Sequence, residues 1–328
     1  MALLLLGSNL VVNNQINIGQ FVGAEIVVLL ILSSVEKLIL TMETIYDVLT
    51  GVEKIGKVVD LPLDSDKGIS YDEIDNGKGL ALKLDKVSFK YADAQRTTIC
   101  NLSMDIESGE RICISGYNGS GKATLSQLVS GLYTEFQGQI TYNGFPLRNI
   151  KLDSLRRHIG NYSQLSDIFR GTIIENISMG FKEISMQEVI WAAQKAGLSP
   201  KIQGMKEGYE TLLLPGGTNI PGSIRAKILL ARAIACKPKL LIFEEFFSKL
   251  EPEDQAEIAR FLTDESHPWT LVVVSNNPLV AQFCDRTYIL RRGIIEAEGS
   301  FEEIQKSPHF GPLFYNTNNP IALPTNSN

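Results

Sequence analysis

The sequence predicts an α/β fold with parallel strands, preceded by a long apolar helix. Three observations carry this. Short apolar runs alternate with helical patterns through residues 80–315, the order that builds parallel sheets. A glycine-rich stretch, "SGYNGSGKATL" (115–125), joins one such run to a helical one. No charged residue precedes Glu25.

At 328 residues the chain is long enough for about two domains of roughly 150 residues each. An apolar fraction of 44% fills a sizeable core, and a net charge of −6 lacks the basic bias of a nucleic-acid binder. Cys100, Cys113, Cys236 and Cys284 form no C-x-x-C pair and read as small core residues in a reducing compartment. Three histidines without ligand spacing argue against a zinc site.

Residues 18–40 are long and apolar enough for a membrane span, which needs about 20 residues. Glu25 is the flaw in that span. "MALLLLGSNLVV" is shorter than a span, and it lacks the basic start and small-residue cleavage site of a signal peptide. "NNQIN" (13–17) reads as a polar turn between the two apolar segments. Val35, Leu38, Met42, Ile45, Leu49, Val52, Gly56 and Val59 then step by three and four, a heptad seam with the charges off it. One long helix is expected to leave the membrane and run on into the cytosol. Residues 1–60 are therefore read as part of a membrane domain with its helical extension. Residues 61–79 are polar and turn-rich and read as a linker; 316–328 read as a disordered tail.

Within 80–315, "LKLDKVSFKY" alternates like a half-buried strand. "RICIS" is a buried strand leading into the glycines, and "GKATLSQLVSGLY" is a helix. "QITYNG", "KLLIF" and "TLVVVS" are further strands. Strand, G-x-x-G-x-G-K, helix is the order of a phosphate-binding loop. The glycines let backbone N–H groups converge on phosphate oxygens, the helix adds its positive end, and Lys122 adds a point charge. The strand "LLIF" ends in Glu244 and Glu245. In phosphate-loop NTPases such an acid helps hold Mg²⁺, and a second one can deprotonate the attacking water.

These spaced motifs resemble the nucleotide-binding domain of an ATP-binding cassette (ABC) transporter. "INIGQFVGAE" and "VEKIGKVVDLP" are similar to the end of the membrane domain of an exporter-type half transporter. The resemblance covers nearly the whole chain. It implies a P-loop NTPase cassette: a mixed sheet with flanking helices and a helical subdomain. It further implies that Tyr91 stacks on adenine, and that Gly116, Asn118, Gly119, Ser120, Gly121, Lys122, Ala123 and Thr124 form the ATP site. Glu244 and Gln164 would hold Mg²⁺, and Glu245, Gln164 and Asn276 would serve catalysis. The implied partners are a second cassette, in a homo- or heterodimer, and the remaining transmembrane helices. The implied location is the cytoplasmic or inner membrane, with the cassette in the cytosol.

The departures bear on activity. Ala123 lacks the hydroxyl that the family gives to Mg²⁺, Glu244 stands where Asp is usual, and Asn276 replaces a histidine. The signature pentapeptide becomes "IPGSI" (220–224), and Glu251 closes the following loop in place of Asp. The expected function is therefore an ATP-binding subunit or fragment of an exporter with weak hydrolysis. The alternative is a non-catalytic regulatory or scaffolding cassette, or a remnant of a longer transporter.

Overall fold

The computed structural model describes residues 2–61, 63–64, 67–163 and 166–315. The chain divides into two units, Met1–Leu63 and Asp64–Asn328. The first is a helical hairpin of α1 (Ala2–Val12) and α2 (Ile18–Val59). Asn17 starts α2 with a capping box: its side chain accepts from the Gln20 N–H, and Gln20 returns the contact to the Asn17 N–H. Gly7 lies against the Phe21 ring so closely that a Cβ would stand 2.0 Å from it. The 42 residues of α2 run without a break, and none is buried. Among the described residues it is the one helix long and apolar enough to cross a membrane.

The second unit begins with an antiparallel pair, β1 (Leu82–Phe89) and β2 (Ile99–Ile106), followed by β3 (Arg111–Gly116), the glycine loop and α3 (Lys122–Val129). Helix α3 stops at Val129, four residues before the predicted end, because the chain turns left-handed at Gly131 (φ 69°). Next come β4 (Gln137–Tyr142), β5 (Phe145–Pro146), α4 (Leu152–Arg157) and β6 (Ile159–Tyr162). A largely helical stretch follows: β7 (Gly171–Thr172), α5 (Ile173–Ser178), α6 (Met186–Lys195), α7 (Ser199–Gln203), β8 (Leu212–Leu213) and α8 (Gly222–Ala235). The chain closes with β9 (Leu240–Glu244), α9 (Pro252–Thr263), β10 (Thr270–Val274), α10 (Pro278–Phe283), β11 (Arg286–Arg291), β12 (Ile294–Gly299) and α11 (Phe301–Gln305).

The main sheet runs β12-β11-β3-β10-β9-β6, parallel except for the edge strand β12. A second sheet, β2-β1-β4-β5, is antiparallel, and β7-β8 is a small ribbon. Both faces of the main sheet are covered, as a parallel sheet requires. On β9 and β10, Leu241, Phe243, Leu271 and Val273 pack toward the helical part. Their neighbours Leu240, Ile242, Val272 and Val274 pack toward the antiparallel sheet.

Two expectations change. Part of the stretch read as linker is bound to the second unit: Tyr71 is fully buried, and its N–H donates to Ser154 Oγ at 2.7 Å. Of the cysteines, Cys113 and Cys284 are core residues, whereas Cys236 is exposed and Cys100 partly so. The predicted tail, 316–328, lies outside the described residues.

Gly160 on β6 sits so close to α8 that a Cβ would lie 2.2 Å from the Ala233 carbonyl. Gly160→Ala is expected to cost about 1–3 kcal/mol through overpacking. Trp269 in the same core and Trp191 packed against it make urea unfolding readable by fluorescence, and the midpoint is expected to fall with an unchanged slope.

Candidate functional site

Three parallel strands, β11, β3 and β10, end side by side, and the glycine loop leaves from the middle one. Gly116 is compulsory there, because a Cβ would sit 2.2 Å from the Leu290 carbonyl on β11. Gly121 caps α3 in the left-handed region (φ 101°), 3.1 Å from the Thr98 carbonyl by the same measure. Between them Asn118 is exposed, Gly119 is left-handed (φ 73°), and Ser120 is buried. Ser120 Oγ has no hydrogen-bond partner among the described residues.

Lys122 is buried and donates to the Gly116 carbonyl at 2.7 Å and to the Tyr117 carbonyl at 3.2 Å. Burial lowers its pKa, opposed by the pull of Glu245 and then Glu244. The ammonium thus rests on the loop's own carbonyls. Thr124 Oγ1 and the Tyr91 hydroxyl share a hydrogen bond at 2.9 Å, and Tyr91 also donates to Gln127 at 3.3 Å. The Tyr91 ring meets Phe89 edge-on at 5.0 Å and Tyr133 at 5.6 Å. Tyr91 therefore stands beside α3.

The acids close the other side. Glu244 ends β9 and is buried; its Oε2 lies 3.4 Å from Ser126 Oγ, which also donates to the Ala123 carbonyl at 2.8 Å. Ser126 is one helical turn after Ala123, so its hydroxyl does not replace the one missing at the loop. Position 123 offers no hydroxyl, and no cluster of three His, Cys, Asp or Glu side chains exists among the described residues. Glu245 follows in a left-handed conformation (φ 51°), a strained state for a residue with a side chain, and its N–H donates to Val274 O at 2.9 Å. Desolvation pushes both carboxyls up from their ordinary range. Against it Ser126 pulls on Glu244, and Lys122 and Lys249 pull on Glu245.

Asn276, just past β10, does not point freely into the site. Its Oδ1 accepts from Ser115 Oγ at 2.9 Å and from the Gly116 N–H at 3.1 Å, and its Nδ2 donates to the Gly116 carbonyl at 3.1 Å. Gln164 lies outside the described residues. Pro221 caps α8 without a side-chain hydrogen bond, and Ser223 and Arg225 line one cavity of about 760 Å³ with Glu244, Glu245 and Lys249. Arg225 donates to the Gly216 carbonyl at 2.9 Å. Sequence reasoning passed over Lys249, although a lysine two positions before Glu251 is visible in "FFSKLEP". It also missed Phe314 and Tyr315, which share a cavity of about 370 Å³ with Glu245 and Asn276. No local pattern announces that contact.

Raised carboxyl pKa values have a signed consequence. The folded chain holds a proton on Glu245 where the unfolded chain has lost it, so stability drops as pH rises from the ordinary carboxylate value near 4.5 through the raised one. Glu245→Gln is therefore expected to raise the melting temperature at pH 7–8, with the gain gone below the ordinary carboxylate range. Thermal scans across pH check it; a destabilised variant at pH 7–8 would contradict the sign.

Comparison with known proteins places this geometry. A profile of the ABC transporter family matches residues 99–248. The alpha-hemolysin translocation ATP-binding protein HlyB of Escherichia coli is 30% identical over 304 residues, which is 92% of this chain and 42% of that protein. The leukotoxin translocation ATP-binding protein LktB of Mannheimia glucosida is 30% identical over 300 residues, 91% of this chain and 42% of that one. The chain thus spans less than half the length of these curated relatives. A solved bacterial Atm1-family ABC exporter with ATP bound matches the fold with a TM-score of 0.73 at 23% identity, covering 85% of this chain and 49% of that one. Strand, loop, helix and paired acids, together with these relatives, show that residues 99–248 form a domain of the ABC transporter family.

Proposed function

We propose that the chain binds ATP at the loop 116–124 as the nucleotide-binding part of an ABC-type exporter, and that it turns ATP over weakly. The observation that carries this is the contrast inside one site. The groups proposed to cradle phosphate are all present: the left-handed glycines Gly116, Gly119 and Gly121, buried Lys122 and the unpartnered Ser120 hydroxyl. What turnover needs is depleted. Ala123 brings no metal-binding hydroxyl, and the amide of Asn276 is occupied by Gly116.

Hydrolysis requires water to attack the γ-phosphorus while the bond to the β-bridging oxygen breaks, with the water's proton leaving to a base. Glu245 is the candidate base, and burial strengthens it. Mg²⁺ entering on the nucleotide would supply charge neutralisation of the phosphates, with Glu244 and Gln164 as its protein partners. Losing one preorganised donor costs about 10²–10³ in rate, and groups that act together do not lose independently.

Residues 18–40 are proposed to lie in the membrane with the cassette on its cytosolic side. A second cassette, identical or not, would face "IPGSI" across an ATP sandwich. Pro221 has no N–H to offer there, and Ser223 puts a side chain where close approach favours glycine. The names of the relatives associate them with translocation, which supports export as the direction. A second reading, a regulatory cassette without catalysis, is favoured by the engagement of Asn276 with the loop.

Three outcomes are expected. The full chain is recovered from membranes only with detergent, while a chain beginning at Leu61 is soluble and folded; a soluble full chain would overturn the membrane placement. Lys122→Ala weakens a fluorescent ATP analogue by about tenfold or more, roughly the worth of one charge-assisted hydrogen bond. ATPase activity stays low in the parent and recovers little in Ala123→Ser, although metal dependence of binding increases. Robust Mg²⁺-dependent turnover by the parent would contradict weak hydrolysis.

A further inference from the structure

We propose that Asn276 is a positioning residue that anchors the first peptide of the phosphate loop, rather than a reader of the γ-phosphate, so that the cassette responds to nucleoside di- and triphosphates alike through this residue. This deepens the ATP-site reading above and rests on it.

The register of the sheet explains the anchor. Strands β10 and β3 pair in parallel with Leu271 opposite Arg111 and Val274 opposite Ile114. The last backbone contact beyond these rungs is the Ser275 N–H donating to the Ile114 carbonyl at 3.1 Å. Two residues past Val274 and two past Ile114 are Asn276 and Gly116. Here the ladder continues through a side chain. A carboxamide has the same acceptor and donor as a peptide group, and Asn276 sets one on the Gly116 N–H and the other on the Gly116 carbonyl. The Ser115 hydroxyl adds a third bond to Oδ1. Imidazole offers one nitrogen of each kind on opposite sides of a ring, so it cannot serve the N–H and the carbonyl of a single residue in this way.

The Gly116 carbonyl accepts from both Asn276 Nδ2 and Lys122 Nζ. An ammonium has three donors, and two of those of Lys122 rest on loop carbonyls, so an arriving phosphate takes the third or displaces one of these. Asn276 pairs the Gly116 carbonyl in either case. A backbone cradle supports both the α- and β-phosphates, which ADP and ATP share. An anchor of that cradle changes affinity for both; a γ-phosphate reader changes affinity for ATP alone.

The test uses the full chain in detergent, a fluorescent ADP, a fluorescent non-hydrolysable ATP analogue, and hydrogen–deuterium exchange without nucleotide. In Asn276→Ala both affinities are expected to fall together by about tenfold, near one buried hydrogen bond, with their ratio unchanged. Exchange at the Gly116 amide is expected to rise, while the strand β9 amides stay protected. Asn276→Asp, which keeps the shape and loses the donor, is expected to behave like Asn276→Ala. Asn276→His is expected to weaken ADP and to raise the preference for the ATP analogue. Loss of the ATP analogue alone in Asn276→Ala, or unchanged exchange at Gly116, overturns the anchor. If the parent binds neither nucleotide, the ATP-site reading fails, and the exchange measurement still decides the anchor.

Discussion

The peptide of Gly116 is the point on which the rest of the site depends. One side faces the Leu290 carbonyl with no room for a Cβ. The other is paired at both its N–H and its carbonyl by Asn276. Lys122 comes back across the loop to the same carbonyl. Strands β11, β3 and β10 therefore converge on one residue, and the direction of the loop, the start of α3 and the resting place of Lys122 follow from it. Thr124 and Tyr91, on and beside α3, are carried along.

The proposed function would separate holding a nucleotide from breaking it. Holding would rely on backbone N–H groups and one lysine, which are fixed by conformation and tolerate change in neighbouring side chains. Breaking would rely on side chains at 123, 244, 245 and 276, each of which is altered, reassigned or strained. Glu244 is a methylene longer than the usual Asp and reaches Ser126. Glu245 keeps its position only in a left-handed backbone, which the Val274 carbonyl on β10 helps to hold.

How much of this was legible depended on the reach of each interaction. The glycine loop was readable because left-handed turns and close approach restrict the residue type locally. The buried strands were readable because both faces of β9 and β10 are covered, so their apolar runs are continuous. The end of α3 was overestimated, because Leu132 and Tyr133 prolong the apolar pattern past Gly131, where the backbone turns. Tyr71 was lost in an acidic stretch whose composition says linker, although its partner is Ser154 on α4. The role of Asn276 was unreadable: it reaches Gly116 across 160 residues, and only the strand register brings them together. As a lone letter in place of histidine it reads as damage; opposite Gly116 it completes a ladder.

Helix α2 poses the complementary problem. Its 42 residues extend for roughly 63 Å at about 1.5 Å each, about twice the hydrocarbon thickness of a bilayer. Its apolar first half and its heptad seam therefore ask for different surroundings. Residues 18–40 are proposed for lipid, and Glu25, seven positions into the helix and so about 10 Å from its start, would then lie inside a hydrocarbon core of about 30 Å, where a carboxylate is costly. Beyond Leu40 the charges Glu43, Asp47, Glu53 and Lys54 suit water, yet Met42, Ile45, Leu49 and Val52 remain exposed along one stripe. A stripe with that spacing is covered by another helix, and α1, at 11 residues, is too short to run its length. The proposed companion transmembrane helices would cover that stripe, and a second cassette would supply the loop that faces "IPGSI".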